Sequence, residues 1–523
     1  TEGDAEVVIN AYKHWGEDCV KFFNGMWAFA IWDKQNSKLF CSRDRLGEKP
    51  FYYCYTNDQF IFGSEIKQLI KYGIKPRVNE KILFTFLFYG IHEFTEETFF
   101  EGIYSLQGGF NLSVELDVEG KKINARKYKY WEIDGIKSIK NSDFEDEAQL
   151  IGKELEKSIA LRLRSDVEIG SCLSGGLDSS SVVTLACRQL ANKNFSINDF
   201  KTFTACYDES KEVDERYYSD LVVGNLGCKN IKVKPNIEKL KNDLEKLAWH
   251  QDEPFGSLSI FAGWCVMEKA KEYGIKVLLD GQGGDETLLG YERFYAYILR
   301  DKISYLKFRD FFKEFKLSSE NSRLTSKMLF RYLMYFNNKR IRKKILDFKA
   351  RKFLNREFLS SFRDSNIVDD MLQFKRIEDA QKSELTRFIS HLLRYEDRNS
   401  MANSIEARVP FLDPIFVEKA VSIPGDYKLR GGWTKAVLRK YMEDKMPEEV
   451  TYRKNKLGFS VPQELWLNEL NEYFKENLVK NAKSSKYFNM NYIEELFNKK
   501  TNADIRFKFI MIETWMRAFD MSC

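Results

Sequence analysis

The sequence predicts a mixed chain, α/β and α+β in class, on three observations. From Phe22 to about Ile133, short apolar stretches are broken by polar turns; from Asp166 to Asp280, short apolar runs alternate with helical segments; beyond about Tyr291 the pattern is almost wholly helical. At 523 residues and 43% hydrophobic content the chain can bury large cores, and its length alone predicts two to four domains. The expected division is residues 1–135, a polar link over 136–147, and 148–523.

In the first unit, "GMWAFAIWD" and "KLFCSRD" flank the polar "KQNS", and "NLSVELDVEG" and "KKINARKYKYWEI" flank a turn at Glu119-Gly120, so both pairs read as strand, turn, strand. After the link "DGIKSIKNSDFEDE", the stretch "DEAQLIGKELEKSIALRL" repeats apolar residues at helical spacing. The alternation that follows, "VEIGSCL", "SSVVTLACRQLA", "KTFTACY", "DERYYSDLVVGNLG" and later "KVLLD", argues for a parallel sheet wrapped by helices. Residues 300–363 are rich in Lys and Arg with interleaved aromatics, a pattern that fits amphipathic helices with solvated basic faces better than a nucleic-acid surface.

Composition removes several classes of function. Charge is nearly balanced, 83 basic against 78 acidic side chains for a net +5, and by itself argues for no nucleic-acid partner. Nine cysteines, an odd total without a C-x-x-C pair, suit a reducing cytoplasm. The four histidines, His14, His92, His250 and His391, have no transition-metal spacing. Apolar runs such as "IFAGWCVM" fall well short of the roughly 18 residues of a membrane span. The start, "TEGDAEVVINAYKHWGEDCV", has no initiator Met and enters a helical pattern at once, so an upstream segment is expected.

The chemistry begins at "CLSGGLDSS", residues Cys172 to Ser180. A glycine turn between a buried strand and a helix presents unpaired N–H groups and the positive end of a dipole, which suit phosphate. The loop lacks the lysine of a Walker motif. Asp178 repels phosphate unless a divalent cation lies between them, so it predicts Mg²⁺. A second strand ends in the same way at "KVLLDGQGGDETLLGY", with Asp285 and Glu286 past the glycines. Parallel strands bring such turns to one sheet edge, where Asp178 and Asp285 could share the metal.

With "SGGLDSS", "DGQGGDE", "LLRYEDRNSMANSIEARVPFLD" and "KNKLGFSVP" in this order, the chain resembles glutamine-dependent asparagine synthetases. "FFNGMWAFAIWD", "SRDRLGEKPFYY" and "FGSEIKQLI" are similar to the later part of that family's glutaminase domain. The resemblance implies a partial Ntn-type class II glutaminase sandwich followed by a PP-loop ATP pyrophosphatase sheet with a helical C-terminal region. It implies that a carboxylate, aspartate first of all, attacks the α-phosphorus of ATP, and that ammonia from glutamine converts the acyl-adenylate to an amide. Backbone N–H groups of Ser174, Gly175, Gly176, Leu177, Asp178, Ser179 and Ser180 would hold pyrophosphate. Leu173, Ala205, Asp280 and Gly281 would contact adenosine, and Lys456 would stabilise the transition state. Arg398, Glu406, Arg408 and Asp413 match the family's "R…EARVPFLD", and of these Arg408 and Asp413 read chiefly as internal polar pairs that support the site.

Two positions depart from the family. Where a Glu takes part in adenylation and in the ammonia step, this chain carries Gln282, which can orient ammonia by hydrogen bonds yet cannot accept its proton. At the front, the glutaminase cysteine would lie upstream of the given residues, while Asp4 matches the residue that grips the glutamine amine. Three alternatives follow: the same chemistry on a sugar uronate or peptide carboxylate, a PP-loop enzyme modifying tRNA, or a catalytically silent scaffold. The expected partners are ATP, the acceptor carboxylate, and glutamine or ammonia, with neither nucleic acid nor membrane and a homodimer as the assembly considered.

Overall fold

The computed structural model describes residues 3–56, 59–116, 123–133, 136, 142–363, 368, 371–454 and 460–521. The first unit holds two antiparallel sheets. Strands β1 (Ala28–Asp33), β2 (Lys38–Arg43), β3 (Tyr52–Tyr55), β4 (Phe60–Gly63), β5 (Tyr104–Ser105), β6 (Phe110–Leu116) and β7 (Ile123–Lys129) order as β1-β2-β6-β7 and β4-β3-β5. The polar "KQNS" closes the β1–β2 hairpin because the Asp33 carboxylate accepts the N–H groups of Gln35 and Asn36 at 3.0 and 3.1 Å. Strands β6 and β7 pair as expected, from Phe110 opposite Lys129 to Leu116 opposite Ile123; the turn at Glu119-Gly120 lies outside the described residues.

This unit is less purely β than its sequence suggests. "EKILFTFLFY" forms a helix over Glu80–Tyr89, buried from Ile82 to Phe88. A run that is apolar at nearly every position carries no period to distinguish helix from strand; here tertiary burial decides. Its residues join one hydrophobic core with the C-terminal helix Ala503–Ala518, so the two units share an interior. Polar ties cross the same boundary: Lys49 Nζ lies 2.9 Å from Asp397, and Lys67 Nζ lies 2.8 Å from Asp252.

The helix expected from "DEAQLIGKELEKSIALRL" spans Phe144–Arg162, and the Asp143 carboxylate caps it by accepting the Glu145 N–H at 2.8 Å. A five-stranded parallel sheet follows. It comprises β8 (Ile169–Cys172), β9 (Lys201–Ala205), β10 (Lys229–Val233), β11 (Val277–Leu279) and β12 (Glu406–Arg408), in the order β10-β9-β8-β11-β12. The chain runs outward one way from β8 and then returns to lay β11 on its other side, so the β8/β11 boundary is the switch point where open sheets leave a crevice. Strand β12 breaks the expected helical remainder. With three residues it carries no period of its own, and its pairing with β11 defines it.

The basic segment folds as helices Phe308–Asn321, Ser326–Asn337 and Lys339–Phe353, among others. In the last of these Arg342, Ala350 and Phe353 are buried, while Arg351 turns outward and pairs with Asp347 at 2.8 Å. Among the described residues no helix is long and apolar enough to cross a membrane.

Candidate functional site

Strand β8 delivers the chain into Ser174-Gly175-Gly176, and a helix starts at once over Leu177–Ala191. Gly175 has φ +69°, and a Cβ there would stand 2.6 Å from the Tyr218 side chain, so only glycine fits this turn. The loop is braced from within and from behind. The Ser174 N–H donates to the Ser179 hydroxyl at 3.1 Å, and the Gly176 N–H donates to the Ser174 hydroxyl at 3.3 Å. Arg453 donates to the Gly175 carbonyl at 3.3 Å, pairs with Glu215 at 2.8 Å and stacks over Tyr218 at 3.8 Å. The phosphate-sized turn is therefore held before any ligand arrives.

Across the crevice, the Asp280 carboxylate accepts the Gln282 N–H at 3.0 Å and shapes the second glycine turn. Its Gly284 passes so near that a Cβ would lie 2.7 Å from the Asp178 carboxylate carbon. The two loops touch. Between Asp178 and Asp285 stands the ammonium of Lys435, paired with Asp178 and 2.6 Å from Asp285. Lys435 is 2% exposed and adopts φ +54°, a left-handed conformation that costs a non-glycine residue about 1 kcal/mol or more. The two aspartates thus converge on a cation, and in this structure the cation belongs to the chain.

Two cavities flank this cluster. The first, about 310 Å³, is lined by Leu173, Ser174, Gly176, Asp178, Ser179, Asp280, Gly281, Gln282 and Asp285, together with Glu396 from the helix Ser390–Ala402. Ala205 ends β9 nearby, but Phe203 of the same strand supplies the lining. Gly175 and Ser180 support the loop, and Leu177 faces a second cavity of about 400 Å³. That second space lies beyond Asp285, and cations outnumber acids on its wall: Arg323, Arg439 and Lys454 stand there with Arg293, Lys435 and Arg453, which are paired with acids, against Asp285 and Glu292. Burial lowers the Arg439 guanidinium to about 10. Such a wall suits a polyanion.

Two acids beside these spaces, Glu396 on the first cavity and Glu286 next to Asp285, respond the opposite way. Burial, then the nearby carboxylates of Asp280 and Asp397, push Glu396 well above the ordinary carboxylate range. Burial and Asp285 raise Glu286 to about 7, against the hydrogen bond that Tyr291 donates to it.

Lys456 lies outside the described residues. Asp4 opens the exposed helix Asp4–Trp15, remote in sequence from these loops. Arg408 donates to Glu406 and to the carbonyls of Arg162 and Arg164, each at 2.7 Å. Asp413 pairs with Arg162 at 3.0 Å and caps the helix Pro414–Ser422 through the Ile415 N–H. Arg398 donates to the Ser64 carbonyl at 2.5 Å. These groups stabilise the frame. Sequence reasoning passed over Lys435, Arg439 and Arg453, which no local motif marks, and Glu396, which lies within "LLRYEDRNSMANSIEARVPFLD"; two acids meeting at a buried edge call for a counter-charge such as Lys435.

Comparison with known proteins bears on the same residues. Residues 150–517 match the family model for asparagine synthase, and residues 1–131 match that for a glutamine amidotransferase domain. The chain is 29% identical over 518 residues to asparagine synthetase (glutamine-hydrolyzing) 1 of Bacillus subtilis (strain 168), covering 95% of this chain and 77% of the relative. It is 36% identical over 297 residues to putative asparagine synthetase (glutamine-hydrolyzing) 2 of Methanocaldococcus jannaschii, covering 56% and 54%. It is also 26% identical over 542 residues to the amidase chyE of Penicillium rubens, covering 95% and 78%.

Proposed function

The chain belongs to the asparagine synthase family, ATP-dependent amidating enzymes with a glutamine amidotransferase part, and from that premise we propose that it activates a carboxylate as an acyl-adenylate and then amidates it. One carboxylate oxygen attacks the α-phosphorus of ATP, the bond to the bridging oxygen breaks, and pyrophosphate leaves. Ammonia attacks the acyl carbon, the bond to the AMP oxygen breaks, a proton departs from nitrogen, and amide and AMP are released.

The observation that carries this reading is the meeting of Asp178 and Asp285, from two loops at the sheet's switch point, around one cation position. Because the Ser174, Gly176 and Ser180 N–H groups donate within the protein, those of the first helical turn, Leu177 to Ser179, with the helix dipole behind them, receive phosphate oxygens, and the basic cavity beyond Asp285 receives the departing pyrophosphate. Leu173, Gly281, Asp280 and Ala205 are assigned to adenosine, and Lys456 to the transition state. The chemistry of the two carboxylates also fits Mg²⁺, which takes one or two protein carboxylates and completes its shell with water and phosphate, provided that the ion binds beside the Lys435 ammonium or displaces it. Among the described residues no cluster of three or more potential metal ligands forms, so such an ion would depend on the nucleotide for its other ligands. When bound, Mg²⁺ neutralises charge on the phosphates. Asp4 is assigned to the glutamine amine, with glutamine as ammonia source.

The acceptor expected from the family name is aspartate. A uronate is the second reading, favoured by Gln282, which cannot play the acid–base part of the carboxylate usual at that position. Assay with ATP, acceptor and ammonia should yield amide, AMP and pyrophosphate in equal amounts; ADP and phosphate in place of AMP would sink the reading.

A further inference from the structure

A third cavity, of about 420 Å³, adjoins the nucleotide cavity, since Tyr291 and Leu392 line both. Its wall is aromatic. Tyr89, Tyr335, Phe336, Phe374 and Phe388 are each half-buried around it. The buried Tyr297 sits behind them, edge-on to Phe374 with ring centres 5.5 Å apart and to Phe336 at 6.1 Å.

Both carboxylates on this wall, Glu384 and Glu286, are already engaged. Arg293 grips Glu384 with two donors at 3.0 and 2.7 Å, Tyr291 donates to Glu286, and Arg342 donates to the Phe336 carbonyl at 3.5 Å. His391 is held neutral, its imidazole lowered to about 3 by burial.

We propose that this cavity receives the acceptor, and that the acceptor is a hexuronate: a carboxylate carried on a hydroxylated six-membered ring. The inference rests on the acyl-adenylate reading above and decides between its two acceptors. Position comes first: Tyr291 and Leu392 are common to both cavities, so an acceptor seated here meets the nucleotide across these two side chains. Size comes next, because 420 Å³ lies within the roughly 300–1,000 Å³ of ligand pockets and far exceeds a four-carbon amino acid. Chemistry decides. Aspartate would bring an ammonium to a wall whose two carboxylates, Glu384 and Glu286, are already held by Arg293 and Tyr291, and a buried charge without a partner is costly. A sugar ring brings no ammonium; its C–H faces stack on aromatic rings, and its hydroxyls bond to tyrosine hydroxyls.

The test is carboxylate-dependent exchange of labelled pyrophosphate into ATP on the full chain, with aspartate, glucuronate and galacturonate as probes. A hexuronate should drive exchange and aspartate should not. Tyr335→Ala should raise the hexuronate KM tenfold or more while the ATP KM stays unchanged, and Phe374→Leu gives the same reading if the first variant fails to fold. Exchange driven by aspartate alone overturns the inference and leaves the adenylation reading standing. Exchange driven by a hexuronate with KM unmoved in both variants overturns the cavity assignment. Should no carboxylate drive exchange in protein that binds ATP, adenylation itself falls and the inference with it.

Discussion

The rim of the parallel sheet and the helical wall facing it enclose the same space by different means. The rim is made of consecutive residues, Ser174 to Ser180 and Asp280 to Glu286, whose backbone is proposed to meet the phosphates and whose glycines permit the turns. The wall is made of side chains from separate stretches: Tyr291, Phe374, Glu396, Lys435 and Arg453. Backbone sites are written locally and tolerate little change. Side-chain sites depend on packing between distant helices, and there an acceptor preference can be altered without touching the nucleotide loops.

Replacement of Lys435 tests the seam between rim and wall most severely. Lys435→Met removes the ammonium that Asp178 and Asp285 share, and losing one partner of a buried ion pair costs about 3–5 kcal/mol. Urea unfolding should show that loss; an unchanged midpoint would mean that rim and wall are energetically independent. Asp178→Ala should next lower the rate of AMP formation by roughly 10²–10³-fold, the range for losing one preorganised electrostatic group. A near-normal rate in the folded variant would remove the rim from the chemistry.

Glu396 sharpens the comparison through pH. Its folded pKa is raised by burial and by Asp280 and Asp397, so its contribution to stability is fully present below the ordinary value of 4.5 and is lost as pH rises toward the folded value. Glu396→Gln has no proton to lose. The variant should therefore melt higher than the parent at pH 8, with the gap closing near pH 4, and a gap that is constant with pH would contradict the assignment. The smallest effect is expected on the outer face: Arg351→Ala breaks an exposed pair with Asp347 and should cost less than about 0.5 kcal/mol by thermal melting.

Legibility in the sequence followed the same division. The strand-glycine-helix unit at Cys172–Ala191 was readable because turn, cap and inward face sit within twenty or so neighbouring positions. The β1–β2 and β6–β7 pairs were readable from polar breaks between apolar runs. The helix Glu80–Tyr89 was hidden because it is apolar nearly throughout, and β12 because three residues define no period. Lys435 was hidden for another reason: nothing in "GGWTKAV" says that its amine will reach a cleft built from residues 178 and 285.

By itself, then, the order of residues determined the glycine turns, the acids placed beside them and the alternation that makes a parallel sheet, because each depends on dihedral freedom and periodicity over a few neighbours. The tertiary structure alone decided that the two acids meet on a lysine, that Gln282 shares its cavity with Glu396, and that an aromatic chamber opens beside Tyr291. Those outcomes arise from close packing of helices far apart along the chain, where position is set by the whole core and by no local pattern.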